Sequence, residues 1–351
     1  MSIIETESNT PAPPATSEES PATTGDTQTF AFEFRGIGAE FFKIWIVNLV
    51  LTVITFGIYS AWATVRTNRY FYANTHLDGE SFRYLADPIT ILIGRVMAVA
   101  AFAIYTVVGS LSPIFGFIFA LGLFFAMPFL IIRSIAFSNR MTAYRNVQFR
   151  FNGRYGEAFM AVLIWPLLGI LSVGVLYPYA LLRANKFVVE NSAYGTTSFA
   201  FDASTWDYGQ AFLKFLGIFV LAGVLALAAS TVNEILAALI GVAGYMVALG
   251  YLSVALINIY YNATSLGAHR LSANLETVSY LKVFLTNAAL TVLTLGLYLP
   301  FAKVRMAQYR ATHTALLASG SLDGFAAAER EQVSALGEEF SGVFDFNVGA
   351  F

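Results

Sequence analysis

The sequence predicts an all-α polytopic membrane protein, built from helical hairpins and three repeated broken or re-entrant helix segments, with short cytoplasmic Phe-x-Phe strands between them. Three observations carry this expectation. Of 351 residues, 57% are hydrophobic and 12% charged, with 32 Phe and 18 Tyr; soluble domains carry about 25% charged residues. Several apolar runs reach the ~20 residues that a helix needs to cross about 30 Å of hydrocarbon. A motif also returns three times, at 55–66, 172–183 and 294–305. In each copy a glycine (Gly57, Gly174, Gly296) precedes an alanine by six residues and an arginine (Arg66, Arg183, Arg305) by nine. Pro178 and Pro300 stand where the first copy has Ala61. Each copy therefore reads as an apolar helix, a breaker and a second short helix.

Residues 1–29 are rich in Pro, Ser, Thr and Glu and carry no Lys or Arg. They have no apolar periodicity with which to offset ordering entropy, so a disordered acidic tail is expected. The tail has neither the basic start nor the apolar core of a signal peptide, which leaves insertion to the first membrane segment. Residues 30–318 form the membrane domain, with internal repeats at about 30–146, 147–269 and 270–318, and hold 19 basic against 11 acidic residues. Residues 319–351 form an acidic C-terminal tail, in which 324–337 has the pattern of a short amphipathic helix. The chain has no cysteine, so disulfide and thiolate chemistry are excluded.

Phe30-Ala-Phe32-Glu-Phe34 has the two-residue period of a strand. Phe82-Arg-Tyr84, Phe149-Arg-Phe151 and Phe199-Ala-Phe201 repeat it, each ahead of another apolar segment, and Leu271-Ser-Ala273 is a degraded fifth copy. Short and long modules alternate between these strands. Each long module holds two apolar arms joined by a tight turn, 89–110 with 114–136 and 211–230 with 235–258. The short modules are too long for one crossing and too short for two. Basic residues stand at both of their ends: Lys43 against Arg66 and Arg69, Arg154 against Arg183 and Lys186, Lys282 against Lys303, Arg305 and Arg310. Lys and Arg concentrate in cytoplasmic loops, so re-entrant hairpins with cytoplasmic termini are favoured. The competing arrangement is seven crossings, around 41–63, 89–110, 114–136, 158–182, 211–230, 235–258 and 281–303.

Leu-Thr-x-Ile-Thr-x-Gly-Ile-Tyr at 51–59, Trp62-Ala63, Arg69-Tyr70, Tyr72-Ala-Asn74 and Gly79-x-x-Phe82 resemble the YjgN family of bacterial inner-membrane proteins. The resemblance covers 30–318 and extends into the Gly-Val-Phe-Asp-Phe-Asn-Val-Gly ending. It implies a multi-pass protein of the bacterial inner membrane. The family has no assigned function, so the resemblance transfers no catalytic or binding residue.

No catalytic constellation is legible. His76, His269 and His313 are the only histidines, scattered just beyond apolar segments, and are expected to be interfacial and solvated. No metal or cofactor site is expected, and no nucleic-acid partner. Asp202 and Asp207 read as N-cap and first-turn residues of the following helix. An enzyme is not expected. A polar stripe is more informative: Asn48, Thr52 and Thr55 stand at i, i+4 and i+7, and Asn287, Thr291 and Thr294 repeat them, each set on one helical face. Such a stripe is either glue between packed helices or the lining of a polar path. Arg66, Arg183 and Arg305 either snorkel or contact anionic lipid headgroups. Two functions follow from these readings. One is a transporter or pore for a small solute or lipid; the other is a non-transporting scaffold that binds anionic lipid or a protein partner.

Overall fold

The computed structural model describes residues 27–344, with side chains to Ser334. Most of the N-terminal tail assigned to 1–29, and the last residues of the chain, lie outside the described residues. Thr27–Thr29 do not belong to a tail; they open the first strand.

The expectation of an all-α protein fails. Ten antiparallel strands close into a barrel, so the protein combines a β-barrel with a helical membrane layer. The strands are β1 (Thr27–Phe34), β2 (Thr75–Leu77), β3 (Glu80–Tyr84), β4 (Thr142–Tyr144), β5 (Val147–Phe151), β6 (Ser192–Tyr194), β7 (Thr197–Phe201), β8 (Thr264–Leu266), β9 (His269–Ala273) and β10 (Thr314–Ser319). Sequential strands pair all the way round, and β1 closes the ring against β10, with Phe30 opposite Leu316. The Phe-x-Phe segments are the odd-numbered strands. Their partners β2, β4, β6 and β8 are three residues long. Three residues are too few for a two-residue period to show, and each follows a helix with at most one residue between, which is why periodicity finds half the barrel and misses its closure.

Tight two-residue turns join the strands at one end of the barrel. Asp78-Gly79 and Arg145-Asn146 have positive φ at both positions, while Gly195 and Gly267 have it at the first position of their turns. These are the primed turns that match strand twist. At the other end the chain leaves the barrel as helices. The first hairpin is α1 (Gly38–Ile54) with α2 (Ser60–Asn74), and the second is α3 (Pro88–Leu111) with α4 (Pro113–Arg140). The third runs through α5 (Tyr155–Phe159), a π-helical turn at Met160–Ile164 and α6 (Trp165–Leu171), then returns in α7 (Tyr177–Glu190). The fourth is α8 (Thr205–Ser230) with α9 (Glu234–Asn262), and the fifth is α10 (Thr277–Leu293) with α11 (Leu299–Thr312). A last helix, α12 (Leu322–Phe344), follows the barrel.

Strand pairing settles the arrangement of these hairpins. Phe34, which leads into α1, lies opposite Thr75, which follows α2; Tyr84 and Thr142, Phe151 and Ser192, Phe201 and Thr264, and Ala273 and Thr314 bracket the other four in the same way. Each hairpin thus leaves the barrel and returns to the same place. Seven single crossings are incompatible with this, because strands flanking a single crossing would face opposite sides of the membrane and could not pair.

Among the described residues four helices are long and apolar enough to cross a membrane: α3, α4, α8 and α9, with 24 to 29 residues each. At 1.5 Å per residue they exceed the hydrocarbon core of about 30 Å. First arms of the short hairpins have 17 residues, or about 25 Å by the same rise, and fall short. Helices pack on their neighbours in chain order and α1 lies against α11, where Phe42 stacks on Phe301 at 5.6 Å. The helical ring therefore closes through the first and third repeats, above the barrel that closes through β1 and β10.

Candidate functional site

The three repeat glycines make one turn three times. Gly57, Gly174 and Gly296 have φ of 91°, 89° and 93°, and the residue before each (Phe56, Val173, Leu295) is also left-handed. Their amides donate to the carbonyls of Thr52, Gly169 and Thr291, five residues back, at 2.7–2.9 Å. This is the Schellman pattern that ends a helix by satisfying its last carbonyls. A hydroxyl then starts the returning arm: Thr55, Ser172 and Thr294 each accept from the amide four residues on, at 2.9 Å. Phe56, Val173 and Leu295 at the apices are 97%, 93% and 95% exposed. Each apex thus presents a large apolar side chain outward on a left-handed backbone.

The polar stripe lies inside these hairpins. Asn48 and Asn287 are buried, and their amides donate across the hairpin to the carbonyls of Ala63 and Ala302, at 3.5 and 3.3 Å. Thr52 and Thr291 donate to the carbonyls of Asn48 and Asn287, at 2.6 and 2.7 Å. Thr55 and Thr294 donate to Leu51 and Leu290 at 2.7 Å. Every one of these bonds stays within its own repeat, and the threonine hydroxyls are taken up by adjacent backbone.

The motif arginines have three different surroundings. Arg66 donates to the Tyr59 hydroxyl at 3.0 Å. Arg305 reaches back to Thr286 and to Asn287 Oδ1, at 2.9 and 3.4 Å. Arg183 lines a cleft with Trp165, Lys186 and Glu190. All three are exposed. Asp207 forms a capping box, but its partner at the start of α8 is Ser204 and not Asp202.

Sequence patterns did not single out the barrel interior. Rings from alternate strands fill it: Phe32 stacks near Phe82, Phe82 on Tyr144, and Phe149 on Phe199. The hydroxyls of the two buried tyrosines turn away into backbone, Tyr144 donating to Leu77 O at 2.7 Å and Tyr194 to Tyr144 O at 3.0 Å. Burial pushes the Tyr144 hydroxyl up to about 12 and the Tyr194 hydroxyl higher still. What remains between the rings is a wholly apolar cavity of about 260 Å³.

Helix α12, which includes the amphipathic pattern read at 324–337, closes the turn end of the barrel. Leu322, Phe325, Ala326 and Glu329, at i, i+3, i+4 and i+7, form its inward face. Phe325 stacks on Tyr194 at 5.9 Å and meets the His269 ring edge-on at 4.7 Å. His269 is therefore buried, not solvated as expected; its Nδ1 has no partner, and burial holds its pKa below the usual value. Glu329 is buried in the Gly195-Thr196 turn, where it accepts from the Thr196 amide at 2.6 Å, the Thr196 hydroxyl at 2.8 Å and the Thr197 hydroxyl. Burial raises its pKa, but these donors together outweigh burial and hold it below the usual glutamate value. Arg145 adds a second tie, pairing with Asp78 at 2.7 Å on the barrel and with Asp323 at 2.6 Å on the helix. The spacing of Leu322, Phe325, Ala326 and Glu329 was the available sequence signal for this contact.

The architecture can be set beside known proteins. Residues 29–343 match the family model described as bacterial protein of unknown function, DUF898. The chain belongs to the DUF898 family. Among curated DUF898 relatives it is similar to the inner membrane proteins YjgN of Escherichia coli O157:H7 and of strain K12. Each is 26% identical over 372 aligned positions, covering 88% of this chain and 93% of the relative. YjgN of Salmonella typhimurium is 32% identical over 147 positions, 41% of this chain and 36% of its own length. No solved structure matches. The YjgN resemblance read from 51–82 thus extends over nearly the whole DUF898 chain, and the relatives' place in the inner membrane agrees with the four membrane-length helices here.

Proposed function

We propose that the protein is a non-transporting scaffold of the bacterial inner membrane that holds anionic lipid of one leaflet around its three re-entrant hairpins. The observation that carries this reading is the depth of those hairpins. Nine residues separate each apex glycine from the motif arginine, which lies midway along the returning arm and short of its base, about 14 Å at 1.5 Å per residue. That is half of a hydrocarbon core of about 30 Å. Exposed apices at Phe56, Val173 and Leu295 then end near the middle of the bilayer, and exposed Arg66, Arg183 and Arg305 lie level with headgroups. The excess of Lys and Arg at these bases supports a cytoplasmic barrel and cytoplasmic termini. Each Lys or Arg near an anionic surface contributes about 1 kcal/mol.

The test is lipid enrichment around protein extracted in polymer discs from membranes containing phosphatidylglycerol and phosphatidylethanolamine. Phosphatidylglycerol should be enriched around the protein and lose that enrichment when Arg66 and Arg183 are both changed to Gln. Equal lipid composition inside and outside the discs would overturn the reading.

Transport remains the second reading, favoured by one observation. Arg95, two turns into α3, places its guanidinium on the hydroxyls of Ser60 and of Thr64, the latter at 2.8 Å. A cation within a spanning helix is a functional-site hypothesis by default. Flux of a small polar solute through proteoliposomes that disappears in Arg95→Leu protein would favour this reading over the scaffold.

A further inference from the structure

We propose that the barrel interior is a binding site for one hydrocarbon chain, with α12 as its lid. The inference does not depend on lipid binding at the hairpins, because it concerns the opposite end of the fold. Three features of the cavity define the ligand. No polar atom is exposed on its surface, although His269 is among the lining residues, so the part of the ligand that enters carries no hydrogen-bonding group. The volume of about 260 Å³ lies just below the range of about 300–1,000 Å³ typical of ligand pockets. That suits a slender chain better than a fused-ring molecule. The tyrosine hydroxyls that would otherwise make the cavity polar are tied to the backbone of Leu77 and Tyr144, so the apolar character is built in.

The wall opposite the membrane is not part of the barrel. Leu322, Phe325 and Ala326 of α12 supply it, and α12 is joined to the barrel only through the short connection after Ser319. Polar groups outside the cavity hold this wall in place: Glu329 on Thr196 and Thr197, and Arg145 bridging Asp78 and Asp323. An apolar plug held by a separate polar latch can lift without the barrel unfolding, since no strand pairing runs through it. The strands continue into the helical hairpins at the barrel's other end, so the proposal has two sources of a hydrocarbon chain to distinguish: a free fatty acid entering at the lid, or the tail of a bilayer lipid entering from the membrane end.

The experiment uses the full-length protein in lipid nanodiscs and two photoreactive probes, a fatty acid and a phosphatidylglycerol, each with a diazirine in its chain. Sites of insertion are mapped by peptide mass spectrometry. Labelling is expected on the strands bearing Phe199, Leu271 and Leu316 and on Phe325, in addition to the lipid-facing surfaces of α3, α4, α8 and α9. The probe that gives barrel labelling identifies the source. Excess unlabelled competitor should remove barrel labelling and leave that of the spanning helices unchanged. Leu316→Trp, which fills the cavity, should lower barrel labelling about tenfold, the ratio corresponding to 1.4 kcal/mol of lost binding. Labels confined to the spanning helices with both probes, or barrel labelling that excess competitor does not reduce, would overturn the proposal even if Leu316→Trp does not fold. Lipid enrichment at the hairpins would be untouched by that result.

Discussion

Removing the Glu329 carboxylate tests whether α12 is a latched wall or a permanent part of the barrel. In Glu329→Ala the Thr196 amide and the Thr197 hydroxyl lose their acceptor, while the Thr196 hydroxyl keeps Gln332 Oε1 at 2.6 Å. Hydrogen bonds to a charged group contribute about 1.5–3 kcal/mol each. The Thr197 hydroxyl can rotate toward water once the side chain is gone and the Thr196 hydroxyl retains Gln332, so the net loss should be about 3 kcal/mol and not the sum. At about 1.4 kcal/mol per tenfold, opening of α12 becomes roughly a hundredfold more frequent. The remaining Asp323 tie does not compensate, because Asp323 is 84% exposed and a pair with such a partner contributes about 1 kcal/mol or less. Hydrogen exchange at the amides of 325–333 is the direct assay. Their protection should fall about a hundredfold while that of β5 and β7 is retained. Protection that stays within about threefold of the parent, or that falls equally in the strands, would refute the latch. Acid should do the same to the unaltered protein. Glu329 is held below its usual pKa, so its contribution is complete above about 4.5 and is lost as pH falls through the lower folded value. His269 is also held low; its contribution is complete above 6.5 and erodes as pH falls below that, when the ring under Phe325 must take a charge. Loosening in two stages is therefore expected, and Glu329→Gln should remove only the more acidic one.

Other consequences are checked by simpler measurements. Gly57→Ala, Gly174→Ala and Gly296→Ala should each cost about 1–2 kcal/mol of stability through left-handed strain and no more, since a Cβ at these positions meets nothing within 4 Å; thermal unfolding in detergent reads this. Thr55→Val and Thr294→Val unpair the Tyr59 and Tyr298 amides and should cost about 1–3 kcal/mol each. Thr52→Val and Thr291→Val remove only bonds to backbone within one helix and should cost less in the same assay. Cysteines placed at Ser192 and Ser272 in this cysteine-free chain should react from the same side of the membrane, because both lie in one barrel; labelling from opposite sides would contradict the closed sheet.

Much of the helical layer was legible because its signals are local and long. Runs of 24 to 29 residues leave little ambiguity, and the thrice-repeated glycine marked the same Schellman turn each time because few other residues tolerate φ near 90°. The barrel was half legible. A Phe-x-Phe alternation survives in five residues, but β2, β4, β6 and β8 offer three residues each, and their pairing is a consequence of where a distant helix hairpin returns. The closure of β1 on β10 joins residues nearly 300 positions apart, and no local pattern encodes that. The candidate latch was missed for a different reason: Glu329 sits among other acids that read together as a solvated tail, and only the turn at Gly195-Thr196 identifies one of them as an inward-facing acceptor. His269 was misjudged because its burial comes from Phe325, 56 residues away in the chain.

The barrel and the hairpins constrain one another, and this bears on why five modules alternate. Strands of three to eight residues would be marginal alone, since isolated short hairpins are barely stable in water. Here each pair is held at its base by the helical hairpin it brackets, and closure leaves no exposed sheet edge for another chain to pair with. Conversely, the hairpins of 17-residue arms are too short to span, so the pairing of Phe34 with Thr75, Phe151 with Ser192 and Ala273 with Thr314 is what fixes their two arms together at the barrel. The two hairpins of membrane length, α3–α4 and α8–α9, belong to the same ring. A deletion of the α3–α4 pair that joins Tyr84 to Thr142 by a two-residue turn tests this mutual dependence. The cross-strand register Tyr84↔Thr142 is compatible with such a turn, so if barrel closure alone stabilised the fold, the shortened protein would keep its strand protection. Loss of protection throughout the barrel in nanodiscs is the expected result, because one of its two membrane-length hairpins is gone; a barrel that remains protected would show that the sheet does not depend on that hairpin.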